Sequence, residues 1–290
     1  MSSPQHHHRL LRSVLYLPAN NVKMVEKATS KLRNCDAFIF DMEDAVPQHA
    51  KQEAREGAKL AIRQMQMFGN AQQTCVVRVN GVNTPHFEQD CLAAMGADCV
   101  LLPKAERVED LRLVRSLVGS KPDLWCMLET PLGVLNAAEL AKECQVLVMG
   151  TVDLANELGC SVDPELKRKP LETALMHSVL VAKAHGVQIL DGVYIHLKDH
   201  QGFVQECLQG MQFGFHGKTL IHPNTIDQCN QMFSPSTEQL ANAQAICDLY
   251  LAAGGNGGAI EINGRLVEEL HIRRALQMIN FDNKIKQRNQ

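Results

Sequence analysis

Cys75-Val-Val-Arg-Val-Asn-Gly81 is a short β-branched run carrying a single arginine near its end. A strand buried on both faces has no use for a guanidinium, so the run predicts that Arg78 stands at a strand mouth where an anion binds. Four further apolar runs end in charge. Phe38-Ile-Phe-Asp-Met-Glu-Asp44 ends in acids, Cys99-Val-Leu-Leu-Pro-Lys104 in a lysine, Leu124-Trp-Cys-Met-Leu-Glu129 in Glu129, and Val146-Leu-Val-Met-Gly-Thr-Val-Asp153 in Asp153. Charges gathered at the C-terminal ends of many parallel strands are the layout of a barrel active site.

Working outward, the chain alternates strand and helix patterns. Strands are expected over 12–18, 37–44, 75–79, 99–104, 124–129, 145–149, 188–194 and 217–221, with helical periodicity between them. The helix over 48–68, for example, carries Ala50, Ala54, Ala58, Ile62 and Met65 on one stripe. Eight such repeats predict an α/β fold, a (β/α)8 TIM barrel, over 12–234. Residues 1–11 read as a disordered tail. Residues 235–290 read as a C-terminal helical extension, with a glycine-rich turn at 254–258, a short strand over 259–262 and a last helix over 266–285; a surplus of this kind is expected to pack on the barrel, a neighbouring subunit or a ligand.

Composition narrows the function. The 290 residues are 45% hydrophobic, enough for one large core, and the 29 basic and 32 acidic residues give a net charge of −3, which recommends neither nucleic acid nor an anionic membrane as partner. No apolar run approaches the roughly 20 residues that span a bilayer. The ten cysteines are scattered, several inside apolar runs, without a C-x-x-C pair or a secretory signal. Reduced thiols in a cytoplasmic enzyme are therefore expected. No Gly-x-Gly-x-x-Gly, Walker-type loop, Gly-x-Ser-x-Gly elbow or zinc-ligand spacing occurs, which counts against dinucleotide, kinase, serine-hydrolase and zinc chemistry.

Glu129 and Asp153 end successive strands and should share one mouth. Two close carboxylates repel unless a cation or proton lies between them, and hard oxygen ligands without His or Cys recommend Mg²⁺. The alternative is that each offsets the dipole of a following helix. Arg78 can grip a substrate carboxylate in a bidentate fork, or serve only in an internal salt bridge to Glu43 or Asp44. Asp41, Glu43 and Asp44 are first read as residues that orient Arg12 or Arg78. Lys104 can pair with Glu106, and His222 can be either a packed loop histidine or a ligand contact.

Together these motifs resemble the citrate lyase beta-subunit-like family within the HpcH/HpaI-type aldolases. The resemblance rests on Arg12-Ser-Val-Leu-Tyr-Leu-Pro-Ala-Asn-Asn21, Phe40-Asp-Met-Glu-Asp-Ala-Val46, Val77-Arg-Val-Asn80, Leu102-Pro-Lys-Ala-Glu106, Glu129-Thr-Pro-Leu-Gly133, Gly150-Thr-Val-Asp-Leu154 and Gly217-Lys-Thr-Leu-Ile-His-Pro-Asn224, in family order. It implies a barrel holding Mg²⁺, or Mn²⁺ in its place, through Glu129 and Asp153. Arg78, with Glu43 and Asp44, would stand at the reacting acid.

It also implies making or breaking a carbon–carbon bond between an acyl thioester, usually of coenzyme A, and a 2-oxo acid. A lyase for citramalyl-, malyl- or citryl-type thioesters follows. A synthase or malyl thioesterase using the same enolate, a lyase for free 2-oxo-4-hydroxy acids, and a non-catalytic or carrier-dependent citrate lyase subunit are the rivals.

Coenzyme A contacts are implied near the first strand–helix loop at Asn20, Asn21 and Lys23, with Arg12 and His222 as further candidates. The family's acid/base carboxylate, in a pattern like Gly-x-Met-x-Asp, corresponds to Glu268 in Gly264-Arg-Leu-Val-Glu268. One extra methylene moves that carboxylate by about 1.5 Å. Its supply by a neighbouring subunit implies a homo-oligomer, a trimer being expected.

Overall fold

The computed structural model describes residues 9–69, 72–160, 168–252, 260–262 and 265–288. They fall into two compact units, Met1–Asn230 and Gln231–Gln290. In the first, β1 (Ser13–Pro18), β2 (Ala37–Asp41), β3 (Thr74–Arg78), β4 (Cys99–Leu102), β5 (Asp123–Leu128), β6 (Val146–Met149), β7 (Gln188–Asp191) and β8 (Gly217–Leu220) pair in chain order into a closed parallel barrel. Closure comes from β1 pairing with β8, Ser13 opposite Lys218. At that seam Gly217 is required by space, since a Cβ there would lie 1.8 Å from the Leu11 carbonyl oxygen.

These segments form strands because they are apolar on both faces. Val14, Ile39, Val76, Leu101, Trp125, Val148 and Leu190 fill the interior, while Phe38, Phe40, Val77, Val100, Leu124 and Leu147 are buried in the intervening positions. The helix Lys51–Phe68 buries Ala54, Gly57, Ala58, Ala61, Ile62 and Met65, small side chains along most of the stripe that let a helix approach closely. All ten cysteines are free. Among the described residues no helix is long and apolar enough to cross a membrane.

Residues 9–11 are ordered, against the expectation of a disordered tail over 1–11. Arg9 pairs with Asp123 at 2.8 Å, its backbone N–H donates to Gln188 at 2.9 Å, and Leu11 is buried in the barrel core. The reason is that the N-terminal end of the barrel needs an apolar plug, which Leu10 and Leu11 supply. His6-His7-His8 lies outside the described residues.

The second unit contains the helix Thr237–Ala252, β9 (Ile260–Ile262), β10 (Arg265–Val267) and the helix Glu269–Arg288. The two helices meet around Ala243, Cys247 and Ala275. The last helix starts three residues later than expected, because residues 265–267 pair antiparallel with β9. The glycine-rich turn over 254–258 lies outside the described residues.

Candidate active site

Strand alternation sets the site. On β1 the inward series Val14, Tyr16 ends at the mouth; on β2 it is Ala37, Ile39, Asp41; on β3, Val76, Arg78; on β5, Trp125, Met127 and then Glu129. Four chemically active side chains thus crown one apolar core. A cavity of about 490 Å³ opens above Tyr16, Asp41 and Arg78, lined on its polar side by Asp41, Asp44, Arg78, Thr151 and Asp153, and on its apolar side by Met127, Met149, Val193 and Ile221.

Arg78 is 6% exposed and fixed in a fork: Nε and Nη2 each donate to Asp41 at 2.7 Å. Its Nη1 reaches Glu43 at 2.8 Å and Asp44 at 3.7 Å, and the guanidinium lies 5.0 Å over the Tyr16 ring. Burial works against the charge on both partners. Their mutual attraction overcomes it, raising the arginine well above its usual range and depressing the Asp41 carboxyl. Glu43 goes the other way: burial raises its pKa in spite of Arg78 and of Lys104, whose Nζ is 2.8 Å from it.

Glu129 is fully buried. Its Oε1 accepts the backbone N–H of Lys104 at 2.7 Å, whereas Oε2 has no hydrogen-bond partner among the described residues. Burial, reinforced by the Glu43 charge, pushes its pKa up to about 8. A buried, unpartnered carboxylate oxygen is costly unless something is meant to sit against it. Gly150 keeps side-chain atoms away from that oxygen, since a Cβ there would come within 2.4 Å of Glu129 Cβ and 2.6 Å of Oε2. Gly150→Ala is therefore expected to displace the carboxylate and weaken divalent-metal affinity by roughly 10-fold or more, read by calorimetric titration; unchanged affinity would show that Gly150 has no part in setting the ligand.

The chemistry of these donors fits Mg²⁺: Glu129 offers a free oxygen, and Asp153 stands half-buried in the cavity wall. The fit is two carboxylates with the remaining positions left to water and substrate, the usual Mg²⁺ pattern. Among the described residues no group of three His, Cys, Asp or Glu is gathered as a ready ligand set. If Glu129 is a ligand, a metal competes with its proton, and affinity should rise with pH up to about 8 and then level. Titrations at pH 6, 7, 8 and 9 check this, and a flat profile contradicts it.

Several expectations are corrected by position. Asp153 does not end a strand: β6 stops at Met149, and Asp153 lies in the first turn of the helix Thr151–Glu157, because Gly150 turns the chain. Arg12 enters β1 at the opposite end of the barrel, buried against Asp36 at 3.0 Å. A salt bridge sealed beneath the core cannot meet a ligand at the mouth, so Arg12 is structural, and Asp36 rather than Asp41 orients it. Lys104 pairs with Glu43, not Glu106.

In the loop after β1, Asn21 caps the helix Val22–Lys31 by accepting from the Met24 backbone, Asn20 is half-buried and Lys23 is exposed. His222 follows β8 and accepts from the Asn224 backbone at 3.2 Å. Glu268 belongs to the second unit, exposed, its backbone N–H donating to His271 at 3.0 Å.

Two contributors, Tyr16 and Met127, carry no expected role, and a third, Lys104, has a different one from the Glu106 pairing expected of it. Tyr16 and Met127 are findable from alternation, being two residues beyond the inward Val14 and Trp125. Lys104 carries a positive φ of 48°, the one non-glycine with this conformation among the described residues. That strain turns its N–H onto Glu129 while its side chain reaches Glu43, a use no local pattern announces.

The family described as HpcH/HpaI aldolase/citrate lyase matches residues 12–223. The chain is 41% identical over 274 residues to a (3S)-malyl-CoA thioesterase of Cereibacter sphaeroides, covering 92% of this chain and 93% of that protein. It is 30% identical over 292 residues to the citrate lyase subunit beta of Leuconostoc mesenteroides subsp. cremoris, covering 95% and 94%. Among solved structures, CitE of Mycobacterium tuberculosis in complex with magnesium, acetoacetate and coenzyme A is similar with a TM-score of 0.76 at 25% identity, covering 93% of this chain and 97% of that one.

Proposed function

This chain belongs to the HpcH/HpaI aldolase/citrate lyase family, and from that membership we propose that it is a Mg²⁺-dependent carbon–carbon lyase. Its substrate would be a 3-hydroxyacyl thioester of coenzyme A, of the malyl, citramalyl or citryl type, split into acetyl-CoA and a 2-oxo acid. The observation that carries this reading is the unpartnered, buried Glu129 Oε2 beside the Arg78–Asp41 fork. The magnesium-bound CitE supports it.

Glu129 and Asp153 would hold Mg²⁺, which when bound supplies Lewis-acid stabilisation for charge on the hydroxyl oxygen that becomes the ketone. Arg78 would bind the substrate carboxylate. Of its five N–H donors Asp41 takes two; Glu43 adds an ion pair to Nη1 at 2.8 Å, and the weakly accepting Met127 thioether at 3.8 Å from the same nitrogen is readily displaced by a substrate oxygen. Asp41 and Glu43 hold the guanidinium aimed at that oxygen, and the apolar wall excludes water from it. A base takes the hydroxyl proton, the C–O bond gains its second pair, the carbon–carbon bond breaks, and its electrons pass to the thioester enolate. A proton delivered to that carbon completes acetyl-CoA. Glu268, brought by a second copy of the chain, is the proposed acid/base group, which makes the working form an oligomer, a trimer in this reading. Asn20, Lys23 and His222 stay proposed contacts for the coenzyme A arm.

A second reading, hydrolysis of the thioester to the free hydroxy acid and coenzyme A, is favoured by the relatives named (3S)-malyl-CoA thioesterase. Product analysis decides between them. Purified protein is given malyl-, citramalyl- and citryl-CoA with Mg²⁺ or EDTA while 2-oxo acid, acetyl-CoA and free thiol are followed. Metal-dependent 2-oxo acid with equal acetyl-CoA supports the lyase. Free thiol without 2-oxo acid replaces it with hydrolysis, and no turnover of any thioester overturns both.

A further inference from the structure

Outside the barrel wall, between β7, β8 and the helix His200–Phe213, lies a buried ion network that the proposed reaction does not use. Leu190 points into the core, so its neighbour Asp191 points outward, where it stands in register with Lys218. Asp191 meets Arg168 Nη1 at 2.5 Å and Lys218 Nζ at 3.1 Å, and Lys218 also meets Glu206 at 2.6 Å. Both Asp191 and Lys218 are fully buried. Such a network is weak evidence for stability in itself, since well-packed apolar side chains can replace it without loss. Its geometry shows what else it does: it grips Gly192 from both sides. Lys218 Nζ donates to the Gly192 carbonyl at 2.5 Å, and the Gly192 N–H donates to Asp191 Oδ1 at 2.8 Å.

Gly192 in turn is pressed against the helix that carries Asp153. A Cβ on it would lie 2.4 Å from Thr151 Oγ1, 2.7 Å from Thr151 Cγ2 and 3.0 Å from the Met149 carbonyl. Thr151 opens the helix Thr151–Glu157 and is two residues from Asp153 in the same first turn. Gly150, the residue before it, rests on Glu129. We infer that the Arg168–Asp191–Lys218–Glu206 network is a positioning device: by clamping Gly192 against Thr151 it sets where Asp153 stands relative to Glu129, and so fixes the divalent-cation site from behind. The inference rests on the metal reading above. It concerns positioning residues only, none of which touches substrate.

The test is calorimetric titration of Mg²⁺ into the full chain, with circular dichroism as the control for folding. Gly192→Ala leaves every charge of the network in place but pushes on Thr151, and is expected to weaken Mg²⁺ binding by roughly 10- to 100-fold, as loss of outer support around a metal ligand does. Adding Thr151→Ala to it removes the two nearest clashing atoms, leaving the 3.0 Å approach to the Met149 carbonyl, and is expected to return affinity to within about threefold of the starting protein, the coupling expected of residues in contact. Lys218→Met, which releases the Gly192 carbonyl, should weaken binding in the same direction. A merely structural role predicts no such rescue.

A folded Gly192→Ala protein with unchanged Mg²⁺ affinity overturns the inference. A folded Lys218→Met protein with unchanged affinity removes the network from it. If Lys218→Met does not fold, the glycine pair of variants still decides. A starting protein that binds no Mg²⁺ overturns the underlying metal reading instead, so the two failures are distinguishable.

Discussion

Glu129→Gln is expected to abolish metal-dependent turnover while making the metal-free protein more stable. The isosteric amide keeps an oxygen for the Lys104 N–H but cannot carry charge, and Mg²⁺ affinity should fall by roughly 100-fold or more. The stability gain follows from the raised pKa. A carboxyl with an ordinary value of 4.5 and a folded value of about 8 binds its proton more tightly in the folded state. Metal-free stability therefore declines as pH rises between those two values, and is lowest above the upper one. An amide at this position lacks the slope, so at pH 8 and above the variant should be more stable by a few kcal/mol, on the order of 1.4 kcal/mol per unit of raised pKa. Thermal unfolding in EDTA from pH 5 to 9, run on both proteins, shows the difference. Parallel curves would mean that Glu129 does not carry the buried charge assigned to it.

Arg78→Lys should retain the fold and lose roughly 10²- to 10³-fold in kcat/KM, the range for removing a positioned donor from a developing charge. Lysine keeps one positive charge near Asp41 but cannot form the two 2.7 Å bonds and the Glu43 contact together. Arg78→Ala is the less informative variant, because it strands a fully buried Asp41 at a cost of roughly 3–5 kcal/mol. If Arg78→Lys turned over the thioester at the starting rate, Arg78 would be structural, its fork serving Asp41 alone.

The barrel is legible in the sequence because its strands are apolar on both faces and its helices keep their own period, so the two patterns seldom compete. The same alternation leads to Arg78 and Glu129, each at an inward position one step past the core. It fails where chemistry does not follow strand register. Arg12 looks from its neighbours like part of the mouth motif, yet it enters β1 from below and meets Asp36, a contact 24 residues away in sequence. Asp153 reads as the end of a strand because Gly150 is a silent turn in an apolar run. Lys104 needs a left-handed backbone to reach both Glu129 and Glu43, and a lysine signals nothing of the kind. Residues 9–11 follow directly on a run of histidines and so resemble a tail, while their burial is decided by the open floor of a barrel formed later in the chain.

The most direct test of the site as a joint cation and acid-binding centre is calorimetric titration of glyoxylate and pyruvate into the purified protein at pH 8, with Mg²⁺ or with EDTA. Binding is expected in Mg²⁺, none in EDTA, and none in Mg²⁺ for Arg78→Lys or Glu129→Gln. Equal affinity in EDTA, or binding untouched by both substitutions, would contradict a centre built from Glu129, a cation and Arg78.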